Sequence, residues 1–202
     1  MINPALDRSP QHAKLIGSMV LGYTELEVSF MHAAALALRL EFPALHAFEL
    51  ILGETLKLKV IHALSRGTFA KTELGNAYAI SHKMIHECLN IRNRYAHCNW
   101  RKDGRQLEFL DAKDIFKDGT APQDDERWRR LTIPILKAQA AFFEGTRKWL
   151  LYLGLMLQAS EDQKPLWKAP PQMQPPPGHS ERRKRSPARV GKSRPHKRTK
   201  PS

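Results

Sequence analysis

The feature that most constrains the fold is a proline-free run from Gln11 to Leu40 that repeats apolar side chains at helical spacing. Apolar residues three and four positions apart line one face of an α-helix, so the run predicts a long amphipathic first helix. Such a helix must bury its apolar face against other elements. The repeat consists of Leu15, Met19, Tyr23, Leu26, Phe30, Ala33 and Ala34.

Three more helices are predicted from the same periodicity. The second runs from Pro43 to Gly67, because proline suits a first helical turn and glycine suits a helix end. The third covers Phe69 to Cys98, again without proline. The last spans Asp124 to Gln158, and Pro134 must either kink it or mark its first turn.

A short segment between the third and fourth helices has a different pattern. Asp103-Gly104 is a two-residue turn signal, and Leu107 and Phe109 alternate with polar residues, so Asn99–Asp111 predicts a β-hairpin. The predicted fold is therefore all-α, an antiparallel four-helix bundle over residues 1–162 with a small β-hairpin insertion between helices three and four.

The net charge of +13 is concentrated at the C-terminal end of the chain. Residues 163–202 carry 12 Lys and Arg against the single acid Glu181, whereas the preceding residues are nearly balanced. The segment is rich in proline and in basic residues, and this composition predicts a disordered tail. Its cations are candidates for nucleic-acid phosphate contacts that do not read sequence, or they form a merely solubilising extension. The candidates are Arg182, Arg183, Lys184, Arg185, Arg194, Lys197 and Arg198.

The expected location is the cytoplasm. Two cysteines cannot form a secreted disulfide framework, and the N-terminal residues lack the pattern of a signal peptide. The most apolar late stretch, 149–157, falls short of the ~20 residues that a bilayer span needs, so no membrane partner is expected.

The most unusual residues lie at the end of the third helix, in Leu89-Asn-Ile-Arg-Asn-Arg-Tyr-Ala-His97. An arginine, a polar residue and a histidine five places after the arginine occur there as Arg92, Asn93 and His97. This pattern, at the end of a long helix with a closing helix after it, resembles the signature of the HEPN superfamily over roughly residues 11–158.

The resemblance implies a metal-independent endoribonuclease in which two copies of the motif meet across a homodimer interface, as in some bacterial defence or toxin proteins. Arg92 and His97 would be catalytic, Asn93 supporting, the partner RNA, and no cofactor is implied. The alternative is a non-catalytic HEPN-type module for binding or dimerisation. A third possibility is another helical family that carries the pattern by chance.

The directions and the chemistry of the Arg92 and His97 side chains limit how they could act together. Arg92 and His97 point ~140° apart on a straight helix, so a second subunit would help them to converge on one phosphate. Histidine exchanges protons near neutral pH, and arginine offers a permanently charged fork to a phosphate. Alternatively, Arg92 pairs with a nearby carboxylate and His97 caps the last helical turn.

Other residues near the motif allow weaker hypotheses. His82, His86, Asn90, Asn93 and His97 share one helix face, which is either a solvated surface or the lining of an RNA groove or subunit seam. His86 is a weak site candidate on that ground. The two cysteines lack CxxC spacing, so no metal site is predicted, and Cys88 fits a buried position. Trp100 either packs the hairpin or stacks a base.

Overall fold

The computed structural model describes residues 3–111, 128–160 and 162–176. Within these ranges the chain is mainly helical and has one small antiparallel sheet. None of the described helices has the length and apolar composition needed to cross a membrane. The helices are α1 (Pro4–Asp7), α2 (Pro10–Leu38), α3 (Phe42–Glu49), α4 (Glu54–Phe69), α5 (Gly75–Ala96) and α6 (Ile133–Gln158), and a short 3-10 helix covers Lys164–Leu166.

The long first helix is confirmed as α2, which packs against α4, α5 and α6. Its apolar stripe, including Met19, Tyr23, Leu26 and Phe30, is buried. The helix ends at Arg39, which adopts the left-handed conformation with φ of 54° and donates its backbone N–H to helix carbonyls. The four-residue α1, which was not predicted, precedes α2 and contacts the sheet.

The predicted second helix is divided. It forms α3 and α4, and the chain between them passes through Gly53 at φ of 87°. A positive φ is easily adopted only by glycine, so Gly53 allows the chain to leave one helix and start the next. The apolar periodicity continues on both sides of this break, which is why the pattern suggested one helix.

The third and fourth predicted helices begin later than expected. Phe69 is buried as the last residue of α4, and α5 begins at Gly75 and ends at Ala96. The last helix begins at Ile133, which places Pro134 in its first turn. Its predicted start at Asp124 lies outside the described residues, and Arg129–Leu131 forms a strand instead.

The predicted hairpin is confirmed and has a third strand beside it. Strands β1 (Cys98–Asp103) and β2 (Gln106–Asp111) pair in antiparallel register from Cys98↔Asp111 to Asp103↔Gln106. The turn contains Gly104 at φ of 57°. Strand β3 (Arg129–Leu131) was not predicted, because three residues are too few to show an alternating pattern; it pairs with β2.

Residues 162–176, called the strap below, contact the helices although 163–202 had been predicted as a disordered tail. Lys164 Nζ lies 3.1 Å from the Glu73 carboxylate, and Trp149 Nε1 donates to the Pro171 carbonyl at 3.3 Å. Met173 packs against the buried core. The composition of the tail hid these contacts, because they depend on a groove formed by distant residues.

Candidate functional site

The motif of Arg92, Asn93 and His97 lies at the C-terminal end of α5, as predicted. Arg92 and Asn93 are in its last two turns, and His97 is the residue that follows the helix. Between them Tyr95 is buried and donates its hydroxyl hydrogen to Gln139 Oε1 of α6 at 2.5 Å. A buried side chain with a hydrogen bond to a neighbouring helix fixes the orientation of this helix end.

Asn93 contacts both other motif residues, through different groups. Its side-chain oxygen accepts a hydrogen bond from Arg92 Nη1 at 2.9 Å, and its backbone carbonyl accepts the His97 N–H at 3.1 Å. The His97 side chain is exposed. No hydrogen bond joins the Arg92 and His97 side chains in the part of the chain that the structure describes. The motif thus presents an anchored guanidinium and a separate surface imidazole.

The Arg92 guanidinium also pairs with a carboxylate of another helix. Arg92 Nη2 lies 3.0 Å from Glu54 Oε1, and the two side chains are 23% and 34% exposed. Glu54 is the first residue of α4 and was missed by sequence analysis. The predicted second helix ran through this position, so no helix start marked it. The Gly53-Glu54 pair, a helix breaker before an acid, was the available signal.

A layer of polar groups lies near this ion pair, between α2 and α4. Glu27 is buried and pairs with Lys57 at 3.2 Å. Tyr23 is buried, and its hydroxyl has no hydrogen-bond partner among the residues that the structure describes. Burial, followed by the charges of Glu27 and Glu54, raises the pKa of Tyr23, so this hydroxyl stays protonated. Glu27, Glu54 and Arg92 all act electrostatically on Tyr23, so this layer borders the Arg92–Glu54 ion pair.

Three histidines pack together, two on α5 before the motif and one on α4. The rings of His62 and His82 are stacked at 3.8 Å, and His86 meets His82 edge to face at 4.6 Å. Burial, and then the nearby His62 and His86, lowers the pKa of His82 to about 4. The pKa values of His62 and His86 are also lowered, mainly by burial. The predicted polar face of α5 is therefore partly a packing surface against α4, and His86 belongs to it.

Both cysteines are held in neutral form. Cys88 is fully buried and lies 3.3 Å from the Thr146 hydroxyl, and Cys98 is half-buried beside the Tyr95 carbonyl. Burial raises the pKa of each thiol to about 12. In the described ranges, no group of three or more His, Cys, Asp and Glu side chains is arranged to hold a metal ion.

Trp100 has a packing role in the structure. Its ring lies 5.9 Å from the rings of Tyr95 and Phe109, so it joins the hairpin to the end of α5. The seven cations proposed for phosphate contacts, from Arg182 to Arg198, lie outside the described residues.

Comparison of the chain with protein-family models, with curated proteins and with solved structures finds no match.

Proposed function

We propose that the protein is a HEPN-type, metal-independent endoribonuclease that acts on RNA as a homodimer. In this proposal α2, α4, α5 and α6 are the four helices of the HEPN bundle. One observation carries the proposal. Asn93 holds the Arg92 guanidinium at 2.9 Å and accepts the backbone N–H of the exposed His97, so a cation and an imidazole lie at one helix end.

These groups suit attack of a ribose 2′-hydroxyl on the adjacent phosphorus. An imidazole takes the 2′ proton as the oxygen bonds to phosphorus, and the P–O5′ bond breaks as an imidazolium returns a proton to O5′. The products are a 2′,3′-cyclic phosphate and a 5′-hydroxyl. Arg92 stabilises the charge that builds up on the phosphoryl oxygens. One His97 from each subunit supplies the base and the acid.

The surface beside the motif has the apolar character that subunit pairing requires. Leu52 is 89% exposed and Leu56 is 54% exposed, and both flank Glu54, the partner of Arg92. Large exposed leucines grouped beside a polar site are typical of protein interfaces. A second copy seated on these leucines brings its own motif near the first.

The second candidate is a non-catalytic HEPN-type module for binding or dimerisation. The Arg92–Glu54 ion pair at 3.0 Å favours it, because the guanidinium that would bind a phosphate already has an anionic partner. In this case the motif stabilises the junction of α4 and α5, and RNA is bound without cleavage or not at all.

The deciding experiment is incubation of the purified protein with single-stranded RNA in EDTA. We expect fragments ending in 2′,3′-cyclic phosphate, and we expect His97→Gln to abolish them while helicity is unchanged by circular dichroism. His46→Gln is the matched control, since His46 is likewise an exposed histidine near the C-terminal end of a helix. Equal cleavage by the His97 variant would refute the catalytic assignment, and binding without products would support the module.

A further inference from the structure

The Arg92 guanidinium has one nitrogen without a described partner. Its Nη1 donates to Asn93, and its Nη2 pairs with Glu54. The third nitrogen, Nε, is buried and has no hydrogen-bond partner among the residues that the structure describes. A buried N–H group of a charged side chain that lacks an acceptor costs free energy of folding. We therefore expect an acceptor beside Arg92 Nε.

Two oxygen atoms on α2 are also buried without a partner. The Tyr23 hydroxyl and Glu27 Oε1 make no hydrogen bond within the described ranges. Tyr23 is 2% exposed and Glu27 is 8% exposed, so contact with bulk solvent does not satisfy them. The other carboxylate oxygen, Glu27 Oε2, is paired with Lys57. Residues four positions apart share a helix face, so Tyr23 and Glu27 lie on one side of α2.

The contacts of α2 and α4 show that these two helices run in the same direction. Glu27 of α2 contacts Lys57 of α4 at 3.2 Å. Farther along each helix, the rings of Phe30 and His62 both stack on the ring of Tyr78, each at 5.7 Å. The contacts therefore occur in the same order on both helices. Residues about one turn before Glu27 and Lys57 must also lie at a common level.

The Tyr23 hydroxyl lies near the Arg92 guanidinium. About one turn before the contact of Glu27 with α4, Tyr23 is level with Glu54, and Glu54 pairs with Arg92 at 3.0 Å. Burial raises the pKa of the Tyr23 hydroxyl most, and the charges of Glu27, Glu54 and Arg92 also act on it, as expected for neighbours. The three unpartnered atoms therefore lie in one buried region between α2, α4 and α5.

The chemistry of these three atoms selects the group that can join them. Arg92 Nε only donates a hydrogen bond, the Glu27 carboxylate only accepts, and the Tyr23 hydroxyl can do either. A cation would be repelled by the guanidinium, and an anion would be repelled by the carboxylate. A water molecule both accepts and donates. Buried waters typically make about three hydrogen bonds to polar groups that have no other partner.

We infer that one buried water molecule joins Arg92 Nε to the Tyr23 hydroxyl and Glu27 Oε1, and that Tyr23 is thereby a positioning residue for Arg92. The water accepts from Arg92 and Tyr23 and donates to Glu27. Arg92 is then held from α4 by Glu54 and from α2 through the water, in addition to its contact with Asn93 on its own helix. The water site does not depend on what the protein does, whereas its effect on RNA cleavage rests on the proposed function.

The first test is a crystal structure of the full-length protein at a resolution that shows ordered water. We expect a water peak within hydrogen-bond distance of Arg92 Nε, the Tyr23 hydroxyl and Glu27 Oε1. The inference is overturned if these atoms have no water between them, or if the Tyr23 hydroxyl donates directly to Glu27.

The second test measures hydrogen exchange of the Arg92 Nε–H group by NMR, with Arg92→Lys used to assign its signal. Tyr23→Phe keeps the ring in the core and removes only the hydroxyl, so we expect exchange to become roughly tenfold faster. Tyr152→Phe is the matched control, because it makes the same change on α6 and should leave the exchange rate at the parent value. Equal rates in the two variants would refute the support from Tyr23.

RNA cleavage separates the positioning role from the proposed function. We expect Tyr23→Phe to lower kcat roughly fivefold with little change in KM, because a less firmly held guanidinium meets the phosphate in the correct orientation less often. Tyr152→Phe should keep the parent kcat. A bound water in a protein that cleaves no RNA would uphold the site and refute the ribonuclease. Cleavage by the parent with an unchanged kcat in Tyr23→Phe would refute the positioning role.

Discussion

The guanidinium of Arg92, near the end of α5, lies 3.0 Å from the carboxylate of Glu54, the first residue of α4. Because Asn93 accepts a second hydrogen bond from the same guanidinium, Arg92 is held from two sides. This relationship supports both candidate functions. It orients a cation in an enzyme, and it joins two helices in a binding module. Variants of Glu54 separate these roles.

Glu54→Gln keeps the size of the side chain and removes its charge. Because the ion pair is partly exposed, we expect the free energy of unfolding to change by no more than about 1 kcal/mol. If Glu54 is a positioning residue for Arg92, kcat for RNA cleavage should fall roughly tenfold with little change in KM. Glu54→Asp should recover part of this loss. Steady-state kinetics and urea unfolding measure both effects.

The control for this variant is Glu49→Gln, because Glu49 is also paired at a helix end but contacts His46 rather than the motif. We expect wild-type kinetics for it. Unchanged kcat in Glu54→Gln would contradict the positioning role.

The histidine cluster of His62, His82 and His86 predicts loss of stability in acid. The folded-state pKa of His82 is about 4, below its ordinary value of 6.5, so the unfolded state binds more protons between these values. The part of the stability that depends on neutral His82 is therefore fully present above pH 6.5 and is lost as the pH falls towards 4. The nearby Arg66 and Lys59 also oppose charging of His62 and His86.

His82→Phe should reduce this acid sensitivity, because phenylalanine keeps a ring in the stack and cannot be protonated. Allowing for the partial exposure of His82, we expect the stability lost between pH 7.5 and 4.5 to shrink by on the order of 2 kcal/mol. Urea unfolding at the two pH values measures the difference. His32→Gln, at an exposed position on α2, should behave like the parent. An identical pH slope in both variants would rule out His82 as the cause.

The buried carboxylate of Glu108 is expected to stabilise the sheet, so its removal should lower the free energy of unfolding. Glu108 is fully buried on β2 and lies 2.8 Å from Arg101 of β1 and 3.6 Å from Arg130 of β3. Glu108→Ala removes the anion shared by the two arginines and leaves a cavity, so we expect a loss of about 2 kcal/mol in urea unfolding. Gln106→Ala, at an exposed position of β2, should change stability far less. A similar small loss for both variants would contradict this role of Glu108.

The proposed homodimer predicts that exposed leucines beside Glu54 are buried between subunits. Leu56→Ser should shift the protein towards monomer in analytical ultracentrifugation, because it removes apolar area from the interface. Leu64→Ser is a close control on the same helix, since Leu56 is 54% exposed and Leu64 is 53% exposed. A parent that sediments as a monomer, or an equal shift in both variants, would argue against this surface as the interface.

The sequence predicted the elements whose signals are local. The apolar stripe of α2 and the Asp103-Gly104 turn of the hairpin depend on neighbours a few residues away, and both were confirmed. The position of Arg92 and His97 at a helix end was also predicted, whereas their catalytic role stays a prediction. The break at Gly53 was missed because the apolar pattern continues across it.

The sequence by itself determined that the chain forms amphipathic helices and one hairpin, because helical periodicity and turn chemistry act over a few neighbouring residues. Only the tertiary structure decided that Glu54 meets Arg92, that His62 stacks on His82, and that Met173 fits against Gly145. Each of these contacts joins residues from different segments. Their distances depend on how the helices and the strap pack, which local patterns do not specify.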